Sequence, residues 1–403
     1  MLKQSLKDIF HQLKEFQPVG IDGISMDKFK TILEDELDIM SKKIENETYN
    51  FGYYKQKLIA KTADSSREIS IPTIRDKIVI NYLYKYIKNA FIEELKLIPS
   101  MHQMIYDIKL NKPNFEYFIK TDIEKFFPSI DHTILFGILE ETIKDKKILS
   151  LIKKAISQTT LSTGTPSKER EKYTNNQGVP QGLSISGLLA DLYLVNLSKK
   201  YQNNTSIQFY KYVDDVLIFC NQEDLEKLKT QIIEDFKNLN LNIHSFEDNS
   251  KSVINKTTQT FDFLGYTFNN EKTSVRNRST QKMFQNLSKI FTMYKNDRFV
   301  NKTSFYRNLN IKITGCIYQD KQYGWIHFFA FMDDYTLLYK LDRFVKINCK
   351  KIGIPYDEKV KKFSRAIFEL KDDGSSYIPN IGSLSIQKQN RIIYELEEDV
   401  TFY

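Results

Sequence analysis

Ile207-Gln208-Phe209-Tyr210-Lys211-Tyr212-Val213-Asp214-Asp215-Val216-Leu217-Ile218-Phe219 sets two adjacent carboxylates between two apolar runs. Both runs are rich in the β-branched and aromatic residues that favour strands, so the acids fall in the connecting turn. Neighbouring carboxylates repel unless solvent, a proton or a cation relieves them. The bland reading is a solvated hairpin turn, where Asp is common. A third acid weighs against it. Asp122 ends the run Phe115-Glu116-Tyr117-Phe118-Ile119-Lys120-Thr121, so again an apolar strand finishes at a carboxylate. Two such strands ending side by side would gather Asp122, Asp214 and Asp215 around a pair of Mg²⁺ ions about 3.5–4 Å apart, the arrangement used for in-line phosphoryl transfer.

With these segments in this order, the chain resembles a prokaryotic reverse transcriptase of the group II intron and retron kind. The resemblance runs from about Gly20 to Tyr266. It implies an α+β right-hand polymerase: fingers, a palm of antiparallel sheet on helices, and a helical thumb. Asp122 stands at the first metal-binding aspartate, and Tyr212-Val213-Asp214-Asp215 resembles the signature tetrapeptide. The implied metal set is Asp122, Ile123, Asp214 and Asp215, holding two Mg²⁺ ions with Mn²⁺ as a substitute. Phe127 falls at the steric gate, which implies deoxynucleotides. Gln181, in Gly178-Val179-Pro180-Gln181-Gly182, inherits the contact to the incoming nucleotide.

Upstream, Lys61 and Arg67 resemble the fingers hairpin that clamps the triphosphate, with Lys57 as a competitor for the role of Lys61. Arginine offers phosphate a two-pronged fork. Arg75-Asp76-Lys77 resembles a further fingers element. Downstream, Asn249-Ser250-Lys251-Ser252 resembles the motif whose lysine approaches the pyrophosphate and protonates it, which makes Lys251 a catalytic candidate. General-acid help of that kind contributes roughly 10²–10⁴-fold. Phe263-Leu264-Gly265-Tyr266 resembles the primer grip.

Composition agrees with this reading without producing it. Among 403 residues, 59 Lys and Arg against 51 Asp and Glu leave a net charge of +8, a moderate excess that suits a polyanionic partner. Cys220, Cys316 and Cys349 are odd in number and widely spaced, so neither a disulfide framework nor a zinc site follows. No run of about eighteen apolar residues occurs, and Met1-Leu2-Lys3-Gln4 begins a polar helix, so a cytoplasmic protein without a membrane partner is expected.

The expected organisation is N-terminal helices and fingers over 1–115, a palm over 116–268, a thumb over 269–371 and a peripheral C-terminal segment over 372–403. Helical spacing predicts helices between Leu2 and Ile44 around a turn at Gly20–Gly23, a buried helix from Asp76 to Leu97, and another from Gly187 to Lys200. From Thr280 the pattern turns helical and basic, as a thumb tracking a nucleic-acid backbone would. Trp325 reads as a core anchor.

The segment Arg307–Cys316 with Tyr323-Gly324-Trp325 and Leu341-Asp342-Arg343-Phe344-Val345 resembles the C-terminal helices of prokaryotic defence-associated and intron-like enzymes. Ile313-Thr314-Gly315 echoes a retron element, whereas the retron Asn-Ala-x-x-His is absent before Asp122. No RNase H, integrase or HNH segment is visible. The expectation is a stand-alone reverse transcriptase copying a dedicated non-coding RNA in phage defence. Its partners would be that RNA, a DNA primer or product, and dNTPs. Alternatives are a template-independent or protein-primed DNA polymerase, a retron- or intron-derived enzyme of a mobile element, and a binding module that kept the fold without catalysis.

Overall fold

The computed structural model describes residues 1–13, 17–62, 65–166, 168, 175–247, 250–296, 298–299, 301–372 and 375–400, with the side chains of 61, 62, 65 and 398 outside that set. The chain divides into two compact units. One comprises Met1–Pro99 and Phe115–Asn255, the other Ser100–Asn114 and Lys256–Tyr403.

At the heart of the first unit is a four-stranded sheet in the order β5-β6-β3-β7, formed by Gln208–Tyr212 (β5), Asp215–Cys220 (β6), Tyr117–Asp122 (β3) and Val253–Lys256 (β7). The β5–β6 and β3–β6 pairings are antiparallel. The central strand β6 is buried from Val216 to Cys220, so it lacks the alternation of a half-exposed strand. Phe118, Ile119, Leu217, Ile218 and Phe219 are fully or almost fully buried, each contributing roughly 1.5–3 kcal/mol. Helix Gln222–Asn238 packs on β3 through a face that buries Leu225, Leu228, Ile232 and Phe236, and helix Val195–Gln202 packs on β5.

A second sheet in this unit pairs Tyr54–Thr62 (β1) with Ser65–Ile71 (β2) antiparallel, and β1 with the short Thr160–Leu161 (β4) in parallel. Helix Ile74–Ala90 follows directly. Thr73 caps it by accepting from the Asp76 amide at 3.1 Å, while Asp76 receives the Thr73 hydroxyl at 2.9 Å. Asp76 also accepts from Tyr49 (2.8 Å) and the Gly52 amide (3.1 Å), tying the helix start to the chain before β1. Arg75 pairs with Glu36 of helix Leu33–Glu45.

Two helices are shorter than the spacing predicts. The one expected from Asp76 to Leu97 breaks at Phe91, and the one expected from Gly187 to Lys200 breaks at Leu194. Both residues leave helical dihedrals while almost completely buried, so packing overrides local propensity there.

In the second unit, Phe261–Phe263 (β8), Tyr266–Phe268 (β9) and Thr273–Val275 (β10) form an antiparallel meander, and helices Asn277–Lys295, Lys302–Thr314 and Tyr335–Lys351 follow it. Trp325 is buried against Phe329 and Phe363, a core anchor as expected. The C-terminal segment, expected at the periphery, contributes to a small separate cluster of Ile311, Cys316, Ile381, Ile393 and Leu396. Helix Ile386–Val400 buries Ile393 and Leu396, and its Asp399 pairs with Lys312 and accepts from Asn286 at 2.7 Å. Residues 100–114 join this unit too: Lys109 pairs with Asp333 at 2.8 Å, and Lys112 donates to the Asn269 carbonyl at 2.9 Å. No helix among the described residues is long and apolar enough to cross a membrane.

Candidate active site

Asp122 and Asp215 are register partners at the end of the β3–β6 ladder. One step further the Ile123 amide donates to the Asp214 carbonyl at 3.0 Å, so the two motifs, some ninety residues apart in sequence, are fixed to each other through backbone. Val213 and Asp214 form the two-residue turn between β5 and β6. Val213 adopts φ +55°, a left-handed conformation costly for a β-branched residue. Such turns normally put glycine there, because the primed geometry matches strand twist.

The acids open on a cleft of about 1160 Å³ within the first unit. Its lining includes Asp122, Ile123 and Asp214 from the sheet edge, and Phe127 from the short helix Phe126–Ser129. Arg67 of β2, Gln181 and Lys251 complete the set of expected residues found there. Asp215 starts β6 beside them and is half-buried. Lys61 lies near the end of β1, but its side chain is outside the described residues, as is Asn249.

Gln181 is positioned by a loop that glycine makes possible. The Val179 amide donates to the Phe127 carbonyl (2.9 Å), the Gly178 amide to Ile130 (2.8 Å), and the Ser70 amide of β2 to the Gln181 carbonyl (2.6 Å). Gly178 at φ +82° would press a Cβ to 2.7 Å from the Pro128 backbone, and Gly182 at φ +104° to 2.9 Å from the Ser70 carbonyl. Only glycine fits either contact, and together they hold the loop between Phe127 and β2.

The Asp122 carboxylate receives the Lys251 ammonium, and the imidazole Nε2 of His244 lies 3.3 Å from the same oxygen. His244 Nδ1 is 3.3 Å from Glu124. The backbone repeats this alignment: the His244 amide donates to the Asp122 carbonyl (3.2 Å), the Glu124 amide to the Asn242 carbonyl (2.8 Å), and Ile123 bridges Ile243. Sequence reasoning missed His244 and Glu124. The alternation of Leu241 and Ile243 hints at a short extended segment, but nothing local says what it pairs with.

The carboxylates offer hard oxygen donors of the kind Mg²⁺ takes, and their backbone attachment puts them side by side. In this structure, however, Asp122 is turned on to Lys251 and His244, and no three described Asp, Glu, His or Cys side chains are grouped to hold a metal ion.

Phe263, Leu264, Gly265 and Tyr266 belong to the second unit. Leu264 (φ +49°) and Gly265 (φ +80°) make a tight hairpin turn between β8 and β9. Phe263, Leu264 and Tyr266 are buried, and the Tyr266 hydroxyl donates to the Phe328 carbonyl at 2.7 Å.

Residues 59–268, more than half the chain, match the family model described as reverse transcriptase (RNA-dependent DNA polymerase). The chain belongs to that family, and its fold is the right-hand polymerase class, mixed helix and sheet. It is 25% identical over 323 residues to a 91 kDa protein in the cob intron of Schizosaccharomyces pombe, a match covering 70% of this chain and 38% of that protein. It is 28% identical over 186 residues to the group II intron-encoded protein LtrA of Lactococcus lactis subsp. cremoris, covering 44% of this chain and 29% of that one. The chain thus spans well under half the length of these two relatives. Among solved structures it is similar to apo telomerase from Candida tropicalis, with 15% identity, a TM-score of 0.47, and coverage of 87% of this chain and 61% of that one.

Proposed function

We propose that this chain is an RNA-directed DNA polymerase that extends a nucleic-acid primer with dNTPs. The observation that carries the reading is the backbone-locked pairing of Asp122 with Asp214 and Asp215 at the edge of a cleft that Arg67, Phe127, Gln181 and Lys251 also line. Asp122, Asp214, Asp215 and the Ile123 carbonyl would hold two Mg²⁺ ions, with Mn²⁺ as a substitute. When bound, such a pair activates a primer 3′-hydroxyl and neutralises the departing pyrophosphate.

The residues divide the remaining work. Arg67, with Lys61, grips the triphosphate through charge-assisted hydrogen bonds. The Phe127 ring fills the space a ribose 2′-hydroxyl would need, and Gln181 orients the incoming nucleotide. Lys251 delivers a proton to the leaving oxygen, for which it must exchange its ion pair with Asp122 for the phosphate. The Phe263–Tyr266 turn seats the primer end. In this reading 1–115 supplies the N-terminal helices and fingers, 116–268 the palm and 269–371 the thumb.

The finer setting we propose is copying of a dedicated non-coding RNA in the cytoplasm during phage defence, which rests on the resemblance of Arg307–Cys316 and Tyr323–Trp325 to such enzymes. A second reading, an intron-derived enzyme of a mobile element, is favoured by the identity with intron-encoded proteins.

Sequencing of RNA and new DNA bound to the protein in cells, wild type against the D214A/D215A double variant, tests both levels. One abundant RNA plus complementary DNA made only by the wild type supports templated synthesis and names the template. An intron RNA selects the mobile-element reading. DNA matching no RNA favours untemplated or protein-primed synthesis, and RNA without DNA overturns the enzymatic reading.

A further inference from the structure

Helix Tyr335–Lys351 of the second unit buries Leu337, Leu338, Leu341, Val345 and Cys349. Its opposite face presents Tyr335, Tyr339, Arg343, Lys346 and Lys350, all exposed. At 100° per residue these five positions fall within a stripe about 80° wide and about 22 Å long. The helix has one acid, Asp342, which is buried and accepts from the Phe363 and Ser364 amides at 2.7 and 3.1 Å. No carboxylate therefore stands on the exposed face.

Two further features separate this stripe from an ordinary solvated helix. Basic residues nearby in the same unit are neutralised: Lys272 by Asp334, Lys312 by Asp399, Arg365 by Glu369. Lys340, Arg343, Lys346 and Lys350 make no ion pair among the described residues. The aromatic residues are also left open. Tyr339 is 63% exposed, and Tyr335 stacks on Phe368 at 5.6 Å with the rings 5° from parallel, although these two are 43% and 57% exposed. Burial does not explain an exposed, aligned pair of rings continued by a third ring and an unneutralised basic row.

We infer that this face binds single-stranded nucleic acid, with unpaired bases stacking on Tyr339 and the Tyr335–Phe368 pair and phosphates running along Arg343, Lys346 and Lys350. A stacking surface continued by a row of positive charge suits an unpaired strand, whereas a duplex keeps its base faces closed. The site lies within 269–371, the segment read above as the thumb, and rests on that reading while deepening it: it names an unpaired strand as what this helix face holds.

The test is fluorescence anisotropy of the full chain with labelled oligo(dT) and oligo(U) of twenty nucleotides and a duplex of equal length. The Y335A/Y339A double variant should weaken single-strand binding by roughly ten-fold or more, with the duplex changed far less. Tyr339→Trp should keep the affinity, which guards against a folding artefact. Arg343→Gln with Lys346→Gln should flatten the salt dependence by about 0.7 per charge in log–log slope. The D214A/D215A variant should bind like wild type, so loss of synthesis and loss of this site are read separately. Unchanged single-strand affinity in Y335A/Y339A, an equal loss on duplex, or binding to anionic vesicles with no preference for single strands would overturn the inference.

Discussion

The Ile123 amide bonds the Asp214 carbonyl at 3.0 Å, one step beyond the Asp122–Asp215 register pair. The carboxylates are thus located by backbone pairing, and side-chain substitution should remove chemistry while leaving the sheet intact.

Asp122→Asn and Asp214→Asn should each lower primer extension by several kcal/mol, on the order of 10³-fold, with little change in thermal unfolding. Asp215→Asn should do the same less severely. Extension of a primed RNA template, with circular dichroism melting in parallel, checks this. A variant that loses fold and activity together would mean the acids are structural.

The cradle around Gln181 yields a second expectation. Gly182→Ala places a methyl 2.9 Å from the Ser70 carbonyl at φ +104°, and Gly178→Ala one 2.7 Å from the Pro128 backbone. Neither backbone can yield cheaply, so the loop must shift and take Gln181 with it. Apparent KM for dNTP should rise by roughly ten-fold or more in each, since misplacement of about 1 Å can cost 10²-fold. Steady-state kinetics with varied dNTP would show it.

Val213 and Val216 are neighbours with opposite costs. At φ +55° Val213 carries strain of roughly 1–3 kcal/mol that glycine would release, offsetting much of its half-buried packing. Val216 is fully buried in extended backbone. Val213→Gly should change stability by less than about 1 kcal/mol and Val216→Gly should cost about 3 kcal/mol or more. Urea unfolding of the pair decides it.

Burial raises the Asp76 carboxyl to about 6, although Tyr49, Thr73 and the Gly52 amide all donate to it. A carboxyl raised above its usual value near 3.8 binds its proton more tightly folded than unfolded. Its contribution is therefore present below about pH 4 and is lost as pH rises through 6, at most about 3 kcal/mol. Asp76→Asn cannot ionise, so its stability relative to wild type should improve between pH 4 and pH 7. Urea midpoints across that range would measure the trend, and parallel curves would refute it.

The paired aspartates and the glycine loop were legible because each rests on a few consecutive residues: a strand ending in an acid, or glycines flanking a glutamine. Three strands of the sheet, β3, β5 and β6, followed from the same runs, whereas β7 did not. What could not be read depends on partners far along the chain. The breaks at Phe91 and Leu194 sit in buried surroundings that helical spacing does not record. His244 meets Asp122 across more than a hundred residues, and Asp399 meets Lys312 across eighty-seven, so neither pair shows in a local reading. Fixed backbone geometry propagates locally in sequence, whereas ion pairs and closing helices do not.

Helix Met101–Asn111 belongs with residues beyond Lys256, while the sheet of the other unit is encoded between them. On the ribosome that helix emerges early and then waits for more than 140 residues before its neighbours exist, on the order of ten seconds at ~5–20 residues per second. During that interval the residues beyond Lys256 that share a unit with Met104, Ile105 and Ile108, all buried in the finished protein, are not yet made. The second unit therefore begins in the chain before the first is complete and ends after it. Slowing translation between Phe115 and Asn255 would lengthen the exposure of that orphan segment and should raise its demand for chaperones.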